Sequence, residues 1–327
     1  TDRERVSRCW DETSVIRENE RMMGWLDSQL LRELYVLPAI SGPKSRGNWF
    51  LDIVSELGVR SDGDWLSLGC GRGDQEIYCV EQGLCSRLDA FDLSTEAIAI
   101  AHNRAEQKGL SGLHFDACDF TMLELPSDGY DVIIMSMSLH HVAKVNKFLP
   151  RVNRTLKPGG WLLVNEYVGP SQFQFTDTQM QIVGEILALL PDRLRYDYVH
   201  NEVKRSYKRQ PRSFWFRVDP SEALCSDQIE AALRRYFRVV VQRNYGGTLL
   251  NPLLEHIIGN FDSESESDTT VLRLLAFLER CLVREGVLQN DFAVFAAQKK
   301  RVPVRLISLP YQLRDKTRAY VWRRRRS

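Results

Sequence analysis

The sequence predicts an α/β protein built on a doubly wound, mainly parallel sheet of seven strands. Three observations support this fold class. Short apolar runs alternate with helix-like stretches from about residue 64 onward, which is typical of βαβ units. The first run enters a glycine-rich turn that opens a helix. The second run ends in a carboxylate, at the sheet edge where such folds hold their ligands.

The chain before the sheet is predicted to be an N-terminal helical cap over residues 1–60. Apolar positions from Met22 to Leu34 recur at helical spacing. The pair Gly42-Pro43 interrupts that pattern, and a second helix is expected over residues 48–57.

The first part of the core, residues 61–167, contains five predicted strands. They are the short apolar runs at residues 65–68, 87–91, 113–115, 130–135 and 160–166. Ser94 is followed by Thr95 and Glu96, which is an N-cap signal, so a helix is expected over residues 94–107.

The alternation stops after Glu166 and resumes later. Residues 168–220 are rich in Gln, Tyr, Phe and Arg and lack a strand signal, which predicts a lid over a substrate site. The remaining core, residues 221–299, is predicted to hold one helix and two strands, at residues 221–236, 238–243 and 292–298. A second helical insertion, at about residues 248–290, lies between those two strands.

Composition excludes several classes of protein. With 327 residues, of which 43% are hydrophobic and 27% charged, the chain can bury a sizeable core. No apolar run approaches the roughly 18 residues that span a bilayer. The seven cysteines are scattered without a C-x-x-C pair, which argues against a disulfide framework and a zinc site. We therefore expect a cytoplasmic protein without a metal site.

Charge is distributed unevenly along the chain. From Lys299 onward there are eleven Lys and Arg residues and one acid, Asp315, whereas the rest of the chain is mildly acidic. This basic tail over residues 300–327 carries interleaved apolar residues, so it could contact an anionic inner membrane surface. A solvated end is the alternative. The acidic body offers no matching basic stripe, so no nucleic-acid partner is predicted.

The glycine-rich turn is the most informative segment. Its glycines, Gly69, Gly71 and Gly73, follow the spacing G-x-G-x-G. Glycine permits positive φ and lets a ligand approach the backbone closely. The dinucleotide fingerprint G-x-G-x-x-G differs, because position 74 is Asp. A tight turn without a ligand is the structural alternative.

Asp92 is the second candidate binding residue. It ends the second predicted strand, 23 positions after Gly69. In a doubly wound domain an acid at this distance accepts hydrogen bonds from ribose hydroxyls. The alternative is that Asp92 only helps to cap the helix that begins near Ser94.

The chain resembles the class I S-adenosylmethionine (SAM)-dependent methyltransferases over about residues 64–167. Residues 66–73 (LSLGCGRG), 91–94 (FDLS), 115–120 (FDACDF), 130–136 (YDVIIMS) with 139–142 (LHHV), and 156–164 (LKPGGWLLV) resemble five successive motifs of that family. The resemblance implies SAM as the cofactor and an antiparallel strand at residues 292–298. It also implies that Asp119 and its neighbour Phe120 hold the adenine. The implied cofactor-binding residues are Gly69, Cys70, Gly71, Gly73, Asp92, Leu93, Asp119, Phe120 and Ser136.

One position departs from the family pattern. The family usually has an acid two residues before the first glycine, which helps to hold the methionine amino group, and this chain has Ser67. The contact is therefore expected to be weaker or to come from another residue.

Candidate catalytic residues follow the fourth and fifth strands. Methyl transfer from a sulfonium needs a base only if the acceptor must lose a proton. His140 and His141 could supply such a base, because imidazole titrates near neutrality. The alternative is packing beside the cofactor. Glu166 could bind substrate, accept a proton or pair with an arginine.

The large insertions favour a small-molecule or glycan-type acceptor, methylated at oxygen. Aromatic and basic residues in the predicted lid would suit an acidic or phosphorylated acceptor, and a solvated basic face is the alternative. The basic residues are Arg193, Arg195, Lys204, Arg205, Lys208, Arg209 and Arg212. A macromolecular acceptor, RNA or protein, is a second hypothesis, although no Asn/Asp-Pro-Pro-aromatic motif follows the fourth strand. A non-catalytic SAM-binding protein is the third, and the sequence does not predict an oligomeric state.

Overall fold

The computed structural model describes residues 5–8, 11, 24–42, 45–60 and 62–300. Predictions that concern Met22 and the basic tail beyond Lys300 lie outside these residues. A seven-stranded sheet forms the centre, with strand order β3-β2-β1-β4-β5-β7-β6. The strands are β1 (Asp64–Leu68), β2 (Arg87–Asp92), β3 (Leu113–Ala117), β4 (Tyr130–Ser136), β5 (Leu156–Tyr167), β6 (Phe237–Asn244) and β7 (Phe292–Lys299).

The sheet has the predicted topology. Strands β1 to β5 pair in parallel, and β7 pairs antiparallel with both β5 and β6. Residues 132–135 in the middle of β4 are all fully buried, as expected for a strand covered on both faces. The doubly wound α/β prediction with one antiparallel strand is confirmed. Strand β5 begins four residues earlier than predicted, because Leu156 pairs with Tyr130 ahead of a register shift.

Helices cover both faces of the sheet. They are α1 (Trp49–Leu57), α2 (Asp74–Glu81), α3 (Thr95–Gln107), α4 (Val145–Thr155), α5 (Asp177–Leu189), α6 (Arg212–Val218), α7 (Ile229–Tyr236), α8 (Leu250–Leu254) and α9 (Glu266–Arg284). One core cluster joins α4 and α7 to residues such as Leu66 and Ile133, and the other lies beneath helices that include α2, α3 and α9. Ser94 is the N-cap of α3, and its hydroxyl accepts from the Ala97 amide, as its sequence predicted.

The N-terminal cap is less regular than predicted. Between residues 25 and 41 it consists of short helical segments, at Trp25–Asp27, Gln29–Leu31, Arg32–Val36 and Leu37–Ser41. The segment Arg32–Val36 is a π-helix. Pro38 follows it at the start of the next segment and has no amide hydrogen for the preceding turn. Such a missing hydrogen bond is a usual reason for a local change in helical winding.

The predicted lid over residues 168–220 also contains structure that the sequence did not indicate. Two-residue strands, Tyr196–Asp197 and Glu202–Val203, form a small antiparallel hairpin between α5 and α6. Lys204 follows the hairpin and is buried. Its ammonium donates to the carbonyls of Pro252 and Glu255 at 2.9 and 2.8 Å. This contact holds the lid against the end of α8. No helix within the described part of the chain is both long and apolar enough to cross a bilayer.

Candidate active site

The glycine-rich turn connects β1 to α2 at the carboxyl edge of the sheet. Gly69, Gly71 and Gly73 all have positive φ, at 82°, 53° and 75°. The amide of Gly69 donates to the Phe91 carbonyl at 2.8 Å, which ties the turn to β2. A Cβ at Gly69 would approach the Cβ of Ser138 to 2.3 Å, so packing excludes a side chain there. A Cβ at Gly71 would have no described heavy atom within 4 Å, so this part of the turn can receive a ligand.

Asp92 joins this turn to the start of α3. Its Oδ2 accepts from the Gly71 amide at 2.8 Å, and its Oδ1 accepts from the Ser94 amide at 2.9 Å. Burial raises the pKa of Asp92, and the backbone hydrogen bonds from Ser94, Gly71 and Leu93 oppose this rise. The N-terminal cap reaches the same edge, because the Ser94 hydroxyl donates to Asp11 at 2.6 Å. Asp92 is therefore placed beside the turn, and its ribose-binding role stays a prediction.

The other predicted cofactor residues lie along the same edge. Asp119 accepts from the Thr121 amide at 3.0 Å and begins a single 3-10 turn. The next residue, Phe120, is 3.4 Å from the position of a Cβ at Gly69, so its ring lies at the glycine turn. Ser136 ends β4. Cys70 and Leu93 belong to the two connections that begin at β1 and β2. The structure thus brings the predicted set together, and their contacts with SAM remain predictions.

Glu76 is a buried acid that the sequence did not single out. It lies in the first turn of α2, where an acid is common and needs no functional explanation. The Ser67 hydroxyl donates to its Oε1 at 2.5 Å. Its Oε2 is buried and has no hydrogen-bond partner among the described residues. Burial raises the pKa of Glu76 to about 7.

Glu166 positions the loop after β4. It is fully buried and accepts hydrogen bonds from the amides of Ser138 and Leu139 at 3.1 and 2.7 Å. Its other oxygen contacts His140 Nδ1. Burial by itself would lower the pKa of His140, but the Glu166 charge and hydrogen bond outweigh burial and raise it to about 9. At neutral pH His140 is therefore an imidazolium, and the role of Glu166 is to keep it charged and oriented.

His141 is held in the opposite protonation state. The Ser221 hydroxyl donates to Asp219 Oδ1 at 2.6 Å, so its oxygen accepts from His141 Nδ1, which lies 3.1 Å away. This chain of hydrogen bonds places the ring proton on Nδ1 and a lone pair on Nε2. Burial and the charge of His140 hold the pKa of His141 well below its usual value. His141 is therefore neutral and able to accept a proton.

Glu222 faces both imidazoles. Its Oε1 is 3.6 Å from His140 Nε2, and its Oε2 is 3.9 Å from His141 Nε2. The donor atoms of these three residues lie within 4.8 Å of one another, so they could hold a metal ion. A second such group, formed by Asp197, His200 and His256, lies at the hairpin. The predicted absence of a metal site stays a prediction.

Residues 219–222 could not be identified from sequence, because they occur where the predicted lid meets the resumed core and follow no motif. The lid approaches them through Gln172, whose amide donates to the Ala223 carbonyl at 2.7 Å. Gln172 is buried with a positive φ of 53°. Neither polar atom of its side chain has a hydrogen-bond partner within the described chain. A buried amide in this state is suited to contact a bound molecule.

Several basic residues of the predicted lid have partners inside the chain. Arg193 pairs with Asp268, Arg195 with Asp192, and Arg209 with Asp177, each at 2.5 to 2.6 Å. Lys204 binds backbone carbonyls, as described above. These four residues have structural contacts, and an acidic acceptor would have to rely on Arg205, Lys208 and Arg212, which are exposed.

Part of the chain is similar in sequence to known proteins. A family model described as a methyltransferase domain matches residues 66–164. The ubiquinone/menaquinone biosynthesis C-methyltransferase of Francisella tularensis subsp. holarctica is 28% identical over 124 residues, which are 37% of this chain and 50% of that protein. The protein of the same name from Marinomonas sp. is 27% identical over 157 residues, 45% of this chain and 62% of that one. The chain thus spans about half the length of the first of these curated relatives.

The chain is also similar to a solved structure. It is geranyl diphosphate C-methyltransferase from Streptomyces coelicolor A3(2), determined with Mg2+, geranyl diphosphate and S-adenosyl-L-homocysteine, at 15% identity and a TM-score of 0.49. The match covers 92% of this chain and 98% of that one.

Proposed function

We propose that the chain is a class I SAM-dependent methyltransferase that uses SAM as its cofactor and methylates a small-molecule acceptor at oxygen. The match of residues 66–164 to a methyltransferase-domain family and the similarity to named methyltransferases support the first part of this proposal. The acceptor would bind between the loop after β4 and the lid of residues 168–220. The observation that carries this proposal is the pair of adjacent imidazoles, of which His140 contacts Glu166 and His141 contacts Ser221.

The two histidines suit an acceptor that must lose a proton. When bound, SAM supplies an electrophilic methyl group, and the acceptor must be held in line with it. The lone pair on His141 Nε2 can take a hydroxyl proton, because the Ser221–Asp219 contact keeps its other nitrogen protonated. The His140 imidazolium can stabilise the negative charge that develops on the oxygen. Glu166 keeps His140 charged and oriented throughout.

The lid supports a small acceptor. Gln172 is buried where the lid contacts Ala223, and its side-chain amide can both donate and accept hydrogen bonds. The ring of Phe173, the next residue, lies 5.2 Å from the ring of Trp215, whose Nε1 is buried without a described partner. An enclosed surface of this kind favours a compact molecule with a hydroxyl or carbonyl group over a segment of RNA or protein.

Transfer to carbon is the second candidate. The curated relatives are named as C-methyltransferases, and an activated carbon acid would need the same base and the same stabilisation of its anion. The two candidates differ in their products, since an O-methyl and a C-methyl group are distinguished by the chemical shift of the new methyl carbon.

The test compares His141→Ala and His140→Ala with the exposed control His114→Ala, using methyl-labelled SAM and a panel of phenolic and other hydroxylated small molecules. Loss of a general base should reduce turnover by about a hundredfold or more. Binding of S-adenosylhomocysteine (SAH), measured by calorimetry, should be unchanged in both variants. Two fully active variants would remove both histidines from the mechanism. Failure of the folded wild type to bind SAH would leave no support for a methyltransferase.

A further inference from the structure

Glu76 carries a buried carboxylate oxygen in the helix that follows the glycine-rich turn. Its side chain is only 2% exposed, and Ser67 holds Oε1 at 2.5 Å. Oε2 has no hydrogen-bond partner among the residues that the structure describes. A buried oxygen that could accept hydrogen bonds but receives none is costly. The arrangement therefore points to a donor that arrives with a ligand.

The charge of this oxygen narrows the class of donor. A glutamine at the same position could also contact Ser67 and would avoid burying an ionisable group. The first turn of a helix favours an acid, but a fully buried carboxylate is best compensated by a cation that also donates hydrogen bonds to it. SAM contains two cationic groups, the sulfonium and the ammonium of its methionine part. Only the ammonium has hydrogens to donate, and the sulfonium must face the acceptor for the methyl group to be transferred.

The neighbouring backbone places the carboxylate firmly. Glu76 lies in the first turn of α2, three residues after the N-cap Gly73. A Cβ at Gly73 would come within 2.8 Å of the Phe115 ring, so the start of the helix is closely packed. Ser67 fixes the far end of the side chain from β1. With both ends fixed, Oε2 is held in one position before any ligand binds.

We propose that Glu76 binds the methionine ammonium of SAM and that Ser67 positions it for this contact. This inference rests on the proposed function, because it requires SAM to occupy the glycine turn. It also accounts for the departure at Ser67. The serine hydroxyl orients a carboxylate that α2 supplies, where the family pattern has an acid on β1.

The test compares two ligands that differ only in the amino-acid part. SAH carries the ammonium, and 5′-methylthioadenosine keeps the adenosine and the thioether but lacks the amino-acid part. Both are titrated by calorimetry into the full-length wild type and Glu76→Gln. The isosteric variant should bind SAH roughly ten- to a hundredfold more weakly, as expected for loss of a charge-assisted hydrogen bond. Its affinity for 5′-methylthioadenosine should be unchanged, which also shows that it is folded.

Two further variants sharpen the result. Asp74→Asn removes an acid from the same helical turn, but that side chain is 73% exposed and pairs with Arg104. It should leave both affinities as they are. The double variant Ser67→Asp with Glu76→Ser moves the acid to β1 and should recover most of the preference for SAH.

Equal affinity of wild type and Glu76→Gln for SAH would overturn the proposal. A parallel loss for both ligands would also overturn it, because the role of Glu76 would then be structural. In both cases binding of 5′-methylthioadenosine by wild type would leave the proposed function standing. Failure of wild type to bind either ligand would instead refute the proposed function and this inference together.

Discussion

Replacing Glu76 by glutamine should stabilise the ligand-free protein at alkaline pH. Burial raises the pKa of this carboxyl group from 4.5 to about 7 in the folded protein. In the unfolded chain the group returns to its ordinary value. Between these two pKa values the folded state binds more protons than the unfolded state, so wild type loses stability as the pH rises through this interval.

The size of the effect follows from the shift in pKa. It corresponds to about 3.5 kcal/mol between full protonation and full ionisation, at about 1.4 kcal/mol per pKa unit. About 2.5 kcal/mol of this falls between about pH 5 and pH 8. Glutamine does not titrate, so the variant should gain that amount over wild type across the interval. The acids whose charge raises the pKa of Glu76, Asp74 and Asp92, are present in both proteins, and so are the thiols whose pKa Glu76 raises, Cys70, Cys79 and Cys85.

Urea denaturation at about pH 5 and pH 8, with SAM and SAH removed, measures this difference. Asp74→Asn, which changes an exposed acid in the same turn, should differ from wild type by the same amount at both pH values. A constant difference between Glu76→Gln and wild type would refute the reasoning. So would a variant that is less stable than wild type at pH 8, because burial would then not be opposing the charge.

Three other substitutions test the glycine-rich turn and the acid beside it. Gly69→Ala should lower the free energy of unfolding by more than about 2 kcal/mol, because the new Cβ would lie 2.3 Å from the Cβ of Ser138 and φ is 82°. Gly71→Ala should lower it less, because a Cβ there would have no described atom within 4 Å. Urea denaturation that ranks the two variants the other way would contradict this packing. Asp92→Asn should weaken SAH and 5′-methylthioadenosine by similar factors of about ten, because both ligands carry the ribose; calorimetry that finds unchanged affinities would remove Asp92 from ribose binding.

Most of the fold could be predicted because its signals are local. Strands β1 to β5 are short apolar runs between helical stretches, and each lies within a few residues of its predicted position. The N-cap at Ser94 depends on one hydroxyl and the amide three residues later. The hairpin at Tyr196–Asp197 and Glu202–Val203 was missed, because two-residue strands have no periodicity. Lys204 resembled a surface cation, and only its burial shows that it holds the end of α8.

The candidate site divides in the same way. Gly69, Gly71, Gly73 and Asp92 were identifiable because backbone geometry and chain order place them at one edge of the sheet. The partners of the histidines were not. Asp219, Ser221 and Glu222 are about 80 residues from His141 along the chain, and no spacing rule connects the two segments.

The sequence by itself therefore determined the doubly wound sheet and the glycine turn, since both depend on neighbouring residues and on strand order, and its resemblance to a known family predicted SAM as the cofactor. Only the tertiary structure decided the protonation states of the two histidines and the position of the acid beside the turn. His140 and His141 are adjacent and chemically identical, yet Glu166 keeps one charged while burial and the charge of His140 keep the other neutral. Likewise, the sequence has Ser67 where the family pattern has an acid, and folding brings the carboxylate of Glu76 to Ser67 from the next helix. The pKa and the hydrogen bonds of a side chain depend on which distant groups surround it, and that is known only once the chain has folded.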